Sequence, residues 1–125
     1  MSRQEIDALK GVLEQLKQSM PKDSVFLITT VEGLPVVSLG LDELEEAKVS
    51  AMASAVLTLG ERAAEELQRG EMEEVYIEGE KGRFLLTAAG PRYILGVSVP
   101  IDLKPGLVRL NMKSAADKIR EITGS

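Results

Sequence analysis

The side chains able to do chemistry are few and grouped. Adjacent carboxylates stand at Glu65–Glu66 and Glu73–Glu74, a glycine-flanked stretch reads Gly79-Glu80-Lys81-Gly82, Ser98 lies in LGVSVP, and Arg62 interrupts a long helical pattern. Paired carboxylates can divide acid and base roles, glycine-rich loops can cradle phosphate, and an activated serine can attack a carbonyl. An arginine can also complete the phosphoryl-transfer site of a neighbouring protein. The surroundings argue against the first three chemistries. GEKG lacks the GxxxxGK[ST] spacing of a phosphate loop and reads as a hairpin turn. Ser98 is not framed by the strand–turn–helix glycines of a nucleophile elbow. The glutamate pairs fall at a helix end and ahead of a strand, where water solvates them. Cys and His are both absent, which excludes Cys/His zinc sites, a thiolate nucleophile, an imidazole base and disulfides. We therefore expect no metal, no cofactor and no self-sufficient active site. An enzyme using Asp, Glu, Ser or Lys stays open as an alternative, although incubation of the chain alone with a nucleoside triphosphate, GTP, is expected to give no hydrolysis.

These residues sit in a chain of 125 residues, 44% hydrophobic and 28% charged, with net charge −5. That composition predicts one soluble globular domain over 1–125. Negative net charge argues against nonspecific binding to nucleic acid or an anionic membrane. The charged start MSRQEIDALK has no apolar signal region, and no apolar run nears the ~20 residues of a membrane span. A cytoplasmic location without membrane insertion is the expectation.

Periodicity gives the elements. Ser2 and Glu5 form a capping-box pattern, followed by a stripe of Ile6, Leu9, Leu13, Leu16 and Met20 that Pro21 stops. SVFLITT and VVSLG read as strands joined at Gly33, a hairpin. Asp42 with Glu45 is a second capping pair, opening a helix to about Arg69 with Gly70 as its left-handed terminator. EEVYIEG, RFLLTAA and YILGVSV are three more strands, separated by turns at EKG and GP. A last helix runs from about Leu107 to Ile122. The order α-β-β-α-β-β-β-α with hairpin links predicts an antiparallel sheet of class α+β.

The long helix poses the main question, because Val49 to Gly60 carries no charge. At 100° per residue, Val49, Met52, Val56, Leu59, Ala63 and Leu67 share a bulky arc expected on the sheet, widened by Ala53, Leu57, Gly60 and Ala64. Ser50, Ala51, Ser54, Ala55 and Thr58 form a small, uncharged arc expected to face away. A helix of roughly 40 Å crosses a domain whose radius of gyration is roughly 14 Å, so little of one chain is left to cover its back. Either the helix is simply alanine-rich and half exposed, or the small arc admits the same helix of a second copy across a two-fold axis. Val75, Tyr76 and Ile77 suggest an edge strand that would pair with its own copy, or else a middle strand buried on both faces.

The succession VFLITTVEGLPVVSLG, AMASAVLTLGERAAEEL, EEVYIEGEKGRFLLTAAGPRYILGVSV and LKPGLVRLNMKSAADKIREI resembles the Roadblock family, the dynein light-chain Roadblock domain, and within it the bacterial and archaeal MglB-like group. The resemblance covers nearly the whole chain and rests on order rather than on one signature motif. It implies a five-stranded antiparallel sheet with the long helix on one face and the terminal helices on the other. It implies a homodimer in which the long helices and the following strands pair into one ten-stranded sheet. Its members bind or scaffold small Ras-like GTPases, and the MglB-like group stimulates GTP hydrolysis by reorganising the GTPase rather than by inserting an arginine.

The expected dimer interface is thus Ser50, Ala51, Ser54, Ala55 and Thr58 with Val75, Tyr76 and Ile77. The expected GTPase-binding surface is Glu45, Lys48, Val49 and Arg62. Arg62 as a catalytic finger competes with the plainer expectation of a surface salt bridge to Glu65 or Glu66. A longin-like trafficking module or small-ligand sensor is the alternative function. A longin-like plan would lack the first helix, and two Phe, two Tyr and no Trp leave little aromatic lining for a ligand pocket.

Overall fold

The computed structural model describes residues 1–124 of the chain. Helix α1 (Arg3–Gln18) starts at Ser2, whose hydroxyl accepts from the Glu5 N–H at 3.1 Å while the Glu5 carboxylate takes the Ser2 N–H at 3.3 Å. Strands β1 (Val25–Thr30) and β2 (Pro35–Leu39) form the first hairpin. Helix α2 (Glu43–Glu66) begins with the same device, the Glu45 N–H on Asp42 Oδ1 at 2.7 Å and the Asp42 N–H on Glu45 Oε1 at 3.0 Å. Each box satisfies two backbone donors that a helix start leaves unpaired. Strands β3 (Val75–Gly79), β4 (Gly82–Ala88) and β5 (Tyr93–Pro100) form a meander, and α3 (Pro105–Thr123) closes the chain.

All five strands pair antiparallel in the order β2-β1-β5-β4-β3. The register places Phe26 opposite Val97 and Ile28 opposite Leu95, so alternate residues build two separate cores. On one face α1 and α3 cover Phe26, Ile28, Leu85, Leu95 and Val97 with Leu9, Leu13, Val108, Met112 and Ile119. On the other face α2 alone covers Leu27, Leu86 and Ile94 with Ala53 and Leu57. Leu57 is therefore the main anchor of α2, and its truncation to Ala should cost about 2–5 kcal/mol.

Helix α2 ends earlier than its pattern suggests. Glu66 is its last residue, and Gln68 takes φ +56° before Gly70 at φ +85°. The Arg69 N–H returns to the Ala64 carbonyl at 2.8 Å, so the chain unwinds over Leu67–Gly70 instead of stopping at one glycine.

Candidate interaction surface

The orientation of α2 differs from the expectation by about a quarter turn. Its sheet-facing line is Ser50, Ala53 and Leu57, all buried, flanked by half-buried Glu46, Gly60 and Ala64. Met52 and Leu59, expected on the sheet, are 56% and 64% exposed, and Ala63 and Leu67 are exposed as well. Val49 and Val56 are partly buried against the α2-side core. Ser50, expected to face a partner, is completely buried against the chain itself. Ser54 is half buried, its hydroxyl donating to the Val31 carbonyl. Ala51, Ala55 and Thr58 remain exposed.

Gly33 supplies the physical reason. It turns the β1–β2 hairpin at φ +93°, and a Cβ there would lie 3.3 Å from Ala51 Cα and 3.3 Å from Ser54 Cβ. The hairpin tip thus lies directly on the small flank of α2. Serine and alanine at 50, 51 and 54 make room for the chain's own loop. On the opposite flank Gly60 lies under Met72 and Val75, where an added Cβ would meet Val75 Cγ2 at 3.1 Å. That flank, which continues through Val56, Met52 and Leu59, is turned toward β3.

Strand β3 is the last in the sheet, so one side of its backbone is unpaired by any strand. Tyr76 and Ile77 are 37% and 44% exposed, and Val75 is half buried under α2. The edge alternative is therefore the one realised. The other edge, β2, begins with Pro35, a residue without a donor. β3 contains no such guard.

On the α3 side of β3, Tyr76 is held by two arginines. Arg109 stacks over its ring, 5.2 Å from the centroid, and bonds both oxygens of Glu74 at 2.9 and 2.7 Å. Arg83 donates Nε to the Tyr76 hydroxyl at 2.9 Å and to Glu78 Oε1 at 3.1 Å, and Nη1 to the carbonyls of Ile101 and Leu103. The Tyr76 hydroxyl, and after it Arg83, hold the Glu78 carboxyl below its ordinary value. Arg83 is pushed upward by the same contacts, Tyr76 first.

The four residues expected to bind a GTPase do not form one surface. Lys48 and Arg62 are both exposed, and neither has an ion pair or side-chain hydrogen bond among the described residues. The expected bridge from Arg62 to Glu65 or Glu66 is thus not formed. Fourteen positions separate them, so they share the outward face roughly 21 Å apart along the axis. Val49 packs inward, and the Glu45 carboxylate is engaged in its cap. Of the carboxylate pairs, Glu65 and Glu66 are exposed and Glu74 is held by Arg109. Ser98 lies within β5 opposite Val25 and Phe84. Glu80 and Lys81 are the two-residue turn between β3 and β4. No group of three or more acidic side chains suited to a metal ion occurs among the described residues.

Residues 10–98 match the family model of the Roadblock/LC7 domain. The chain belongs to the Roadblock/LC7 family. Three uncharacterized proteins of Methanocaldococcus jannaschii are similar to this Roadblock chain, 38%, 37% and 36% identical over 94 residues. Those 94 residues are 75% of this chain and 82%, 82% and 79% of theirs. Among solved structures it is similar to Myxococcus xanthus MglB, with TM-score 0.87 and 22% identity over 99% of this chain and 93% of that one. A Roadblock/LC7 domain from Streptomyces avermitilis gives TM-score 0.86 and 20% identity over 92% and 97% of the two chains. An MglB structure with a tetrameric arrangement gives 0.87 and 16% over 98% and 92%. These likenesses establish a Roadblock fold, with the long helix alone on one face of the sheet. No helix of the described residues is long and apolar enough to cross a membrane.

Proposed function

We propose that this Roadblock chain is a homodimeric scaffold or regulator of a small Ras-like GTPase, working in the cytoplasm and without an active site of its own. The observation that carries the reading is the pairing of two unsatisfied surfaces on one side of the molecule. The β3 edge has free backbone donors and acceptors, and the neighbouring flank of α2 exposes Met52 and Leu59. A second copy related by a two-fold axis would satisfy both, joining β3 to β3 and laying one bulky flank on the other. The interface we propose takes Met52, Val56, Leu59 and Ala63 in place of Ser50, Ala51, Ser54, Ala55 and Thr58, and keeps Val75, Tyr76 and Ile77.

With that flank used by the dimer, the outward line Leu44, Lys48, Ala55 and Arg62 faces a partner, and the family resemblance supports a GTPase. The partner's own groups would perform hydrolysis, and this chain would position them. Native mass spectrometry of the tagged protein recovered from its own cells tests the reading. Two chains with one nucleotide-carrying protein of small-GTPase size are expected. A monomer would remove the dimer, and two chains without a nucleotide-carrying partner would remove the GTPase. Replacing Lys48 and Arg62 together by Glu should weaken the GTPase complex at least tenfold while leaving two chains associated, since close charge pairs across interfaces contribute about 1.5–7 kcal/mol and about 1.4 kcal/mol is tenfold.

A further inference from the structure

A groove of about 810 Å³ lies at the C-terminal end of α2, with Glu61 and Glu65 of its rim on the helix flank opposite Met52 and Leu59. Its floor is apolar, made by Val31, Leu57, Met72, Ala88 and Pro91, and its rim carries Glu61, Glu65 and Glu71. At 100° per residue Glu61 and Glu65 stand half a turn from Met52 and Val56, so the dimer proposed above leaves these two rim glutamates open.

Negative charge is concentrated in one stretch of the sequence. Between Glu61 and Lys81 there are eight glutamates against three basic residues, a net of −5 that equals the charge of the entire chain. Glu74 and Glu78 have arginine partners, whereas Glu61, Glu65 and Glu71 have no ion pair among the described residues. The last turn of α2 contains no basic residue. Its carbonyl ends bring negative partial charge of their own, so acids placed there cost stability where lysine or arginine would add it. Apolar floor and unneutralised acidic rim together specify what fits: methylene and apolar surface below, positive charge above.

We propose that this groove docks a segment of a partner protein in which lysine or arginine side chains flank one or two apolar residues. The apolar side chains seat on Leu57, Met72 and Val31, and the cations meet Glu61, Glu65 and Glu71. The assignment does not depend on the GTPase reading, because the groove and its charge belong to the single chain.

The test is fluorescence anisotropy with a short labelled peptide of lysine and leucine, and a leucine–glutamate peptide as its counterpart. Methyl chemical shifts of the full chain are read in parallel. The lysine peptide should bind and perturb Val31, Leu57 and Met72, and the glutamate peptide should not bind. Glu61→Lys with Glu65→Lys should weaken binding about tenfold, while the same charge change at exposed Glu14→Lys with Glu121→Lys should stay within about twofold. Equal loss in both pairs would reduce the effect to overall charge and overturn the site. Shifts at other methyls, or competition by magnesium ion alone, would overturn it too. A changed oligomer mass in the Glu61→Lys, Glu65→Lys variant would reassign the groove to a second copy.

Discussion

Along one flank of α2 the side chains are Ser50, Ala51 and Ser54; along the other they are Met52, Val56 and Leu59. Small side chains invite close approach by a neighbour, and a small stripe is easily read as a docking seam. Here the approach has already happened inside the chain, because the Gly33 tip lies on the small flank. The bulky flank stays largely uncovered beside the open edge of β3. Small residues thus report how close a neighbour comes, not whether it belongs to another molecule. Exposed bulk next to an unpaired strand is the better sign of an intermolecular contact.

Reciprocal changes on the two flanks sharpen that contrast. Ser54→Leu should destabilise the folded chain by about 3 kcal/mol, from overpacking under the hairpin and loss of the hydrogen bond to Val31. A melting temperature lower by about 10 °C is the expected reading. Met52→Ser with Leu59→Ser should leave the stability of the isolated chain within about 1 kcal/mol, since exposed positions carry little folding energy. The same double change should raise the dimer dissociation constant at least tenfold, roughly the loss of one buried apolar side chain at an interface. Sedimentation equilibrium measures it. If Ser54→Leu splits the dimer without lowering the melting temperature, the assignment of the two flanks is reversed.

Much of the fold was legible because it depends on local chemistry. The capping pairs Ser2–Glu5 and Asp42–Glu45, the Gly33 hairpin and the alternation within each strand are short-range signals, and the eight elements follow from them. The rotation of α2 was not legible in the same way. Periodicity defines an apolar arc, but between Val49 and Gly60 every direction is apolar or small, so no arc is distinguished by polarity. What decides the matter is a tertiary contact, Gly33 on Ala51 and Ser54. The signal existed in part, since a hairpin glycine needs a neighbour small enough to receive the loop. Val49, expected on the partner surface, is half buried against the α2-side core for the same reason. The acids that follow Arg62 suggest a salt bridge as the alternative to a partner-facing role, yet Glu65 and Glu66 extend toward water instead. The early helix end at Glu66 was hidden because Gln68, with φ +56°, does the turning ahead of the glycine.

The two sheet edges give a second, weaker contrast. Ile77→Lys places a charge on the β3 edge, where lysine discourages strand addition. It should weaken the dimer about threefold to tenfold by the same sedimentation measurement, with unchanged circular dichroism. Pro35→Ala on the β2 edge should leave the mass of the assembly unaltered. Dissociation by Pro35→Ala instead would move the interface to β2.

The smallest effect concerns the carboxylate on β3 that its neighbours keep ionised. Glu78 sits below its ordinary value of 4.5 because the Tyr76 hydroxyl, and then Arg83, donate to its charged form. A depressed carboxyl contributes stability above its unfolded value and loses it as the pH falls through the folded one. Any contribution of this pair is therefore fully present near neutrality and disappears below 4.5. Solvent screens the exposed group, so the effect on global unfolding is too small to carry the argument. The direct reading is the carboxyl carbon of Glu78 in an NMR titration. Tyr76→Phe should move its midpoint upward toward 4.5, and further than Arg83→Gln does, because the hydroxyl is the larger cause. The reverse ranking would make Arg83 the main holder of Glu78, and so tie that edge carboxylate to the carbonyls of Ile101 and Leu103 ahead of α3 rather than to its own strand.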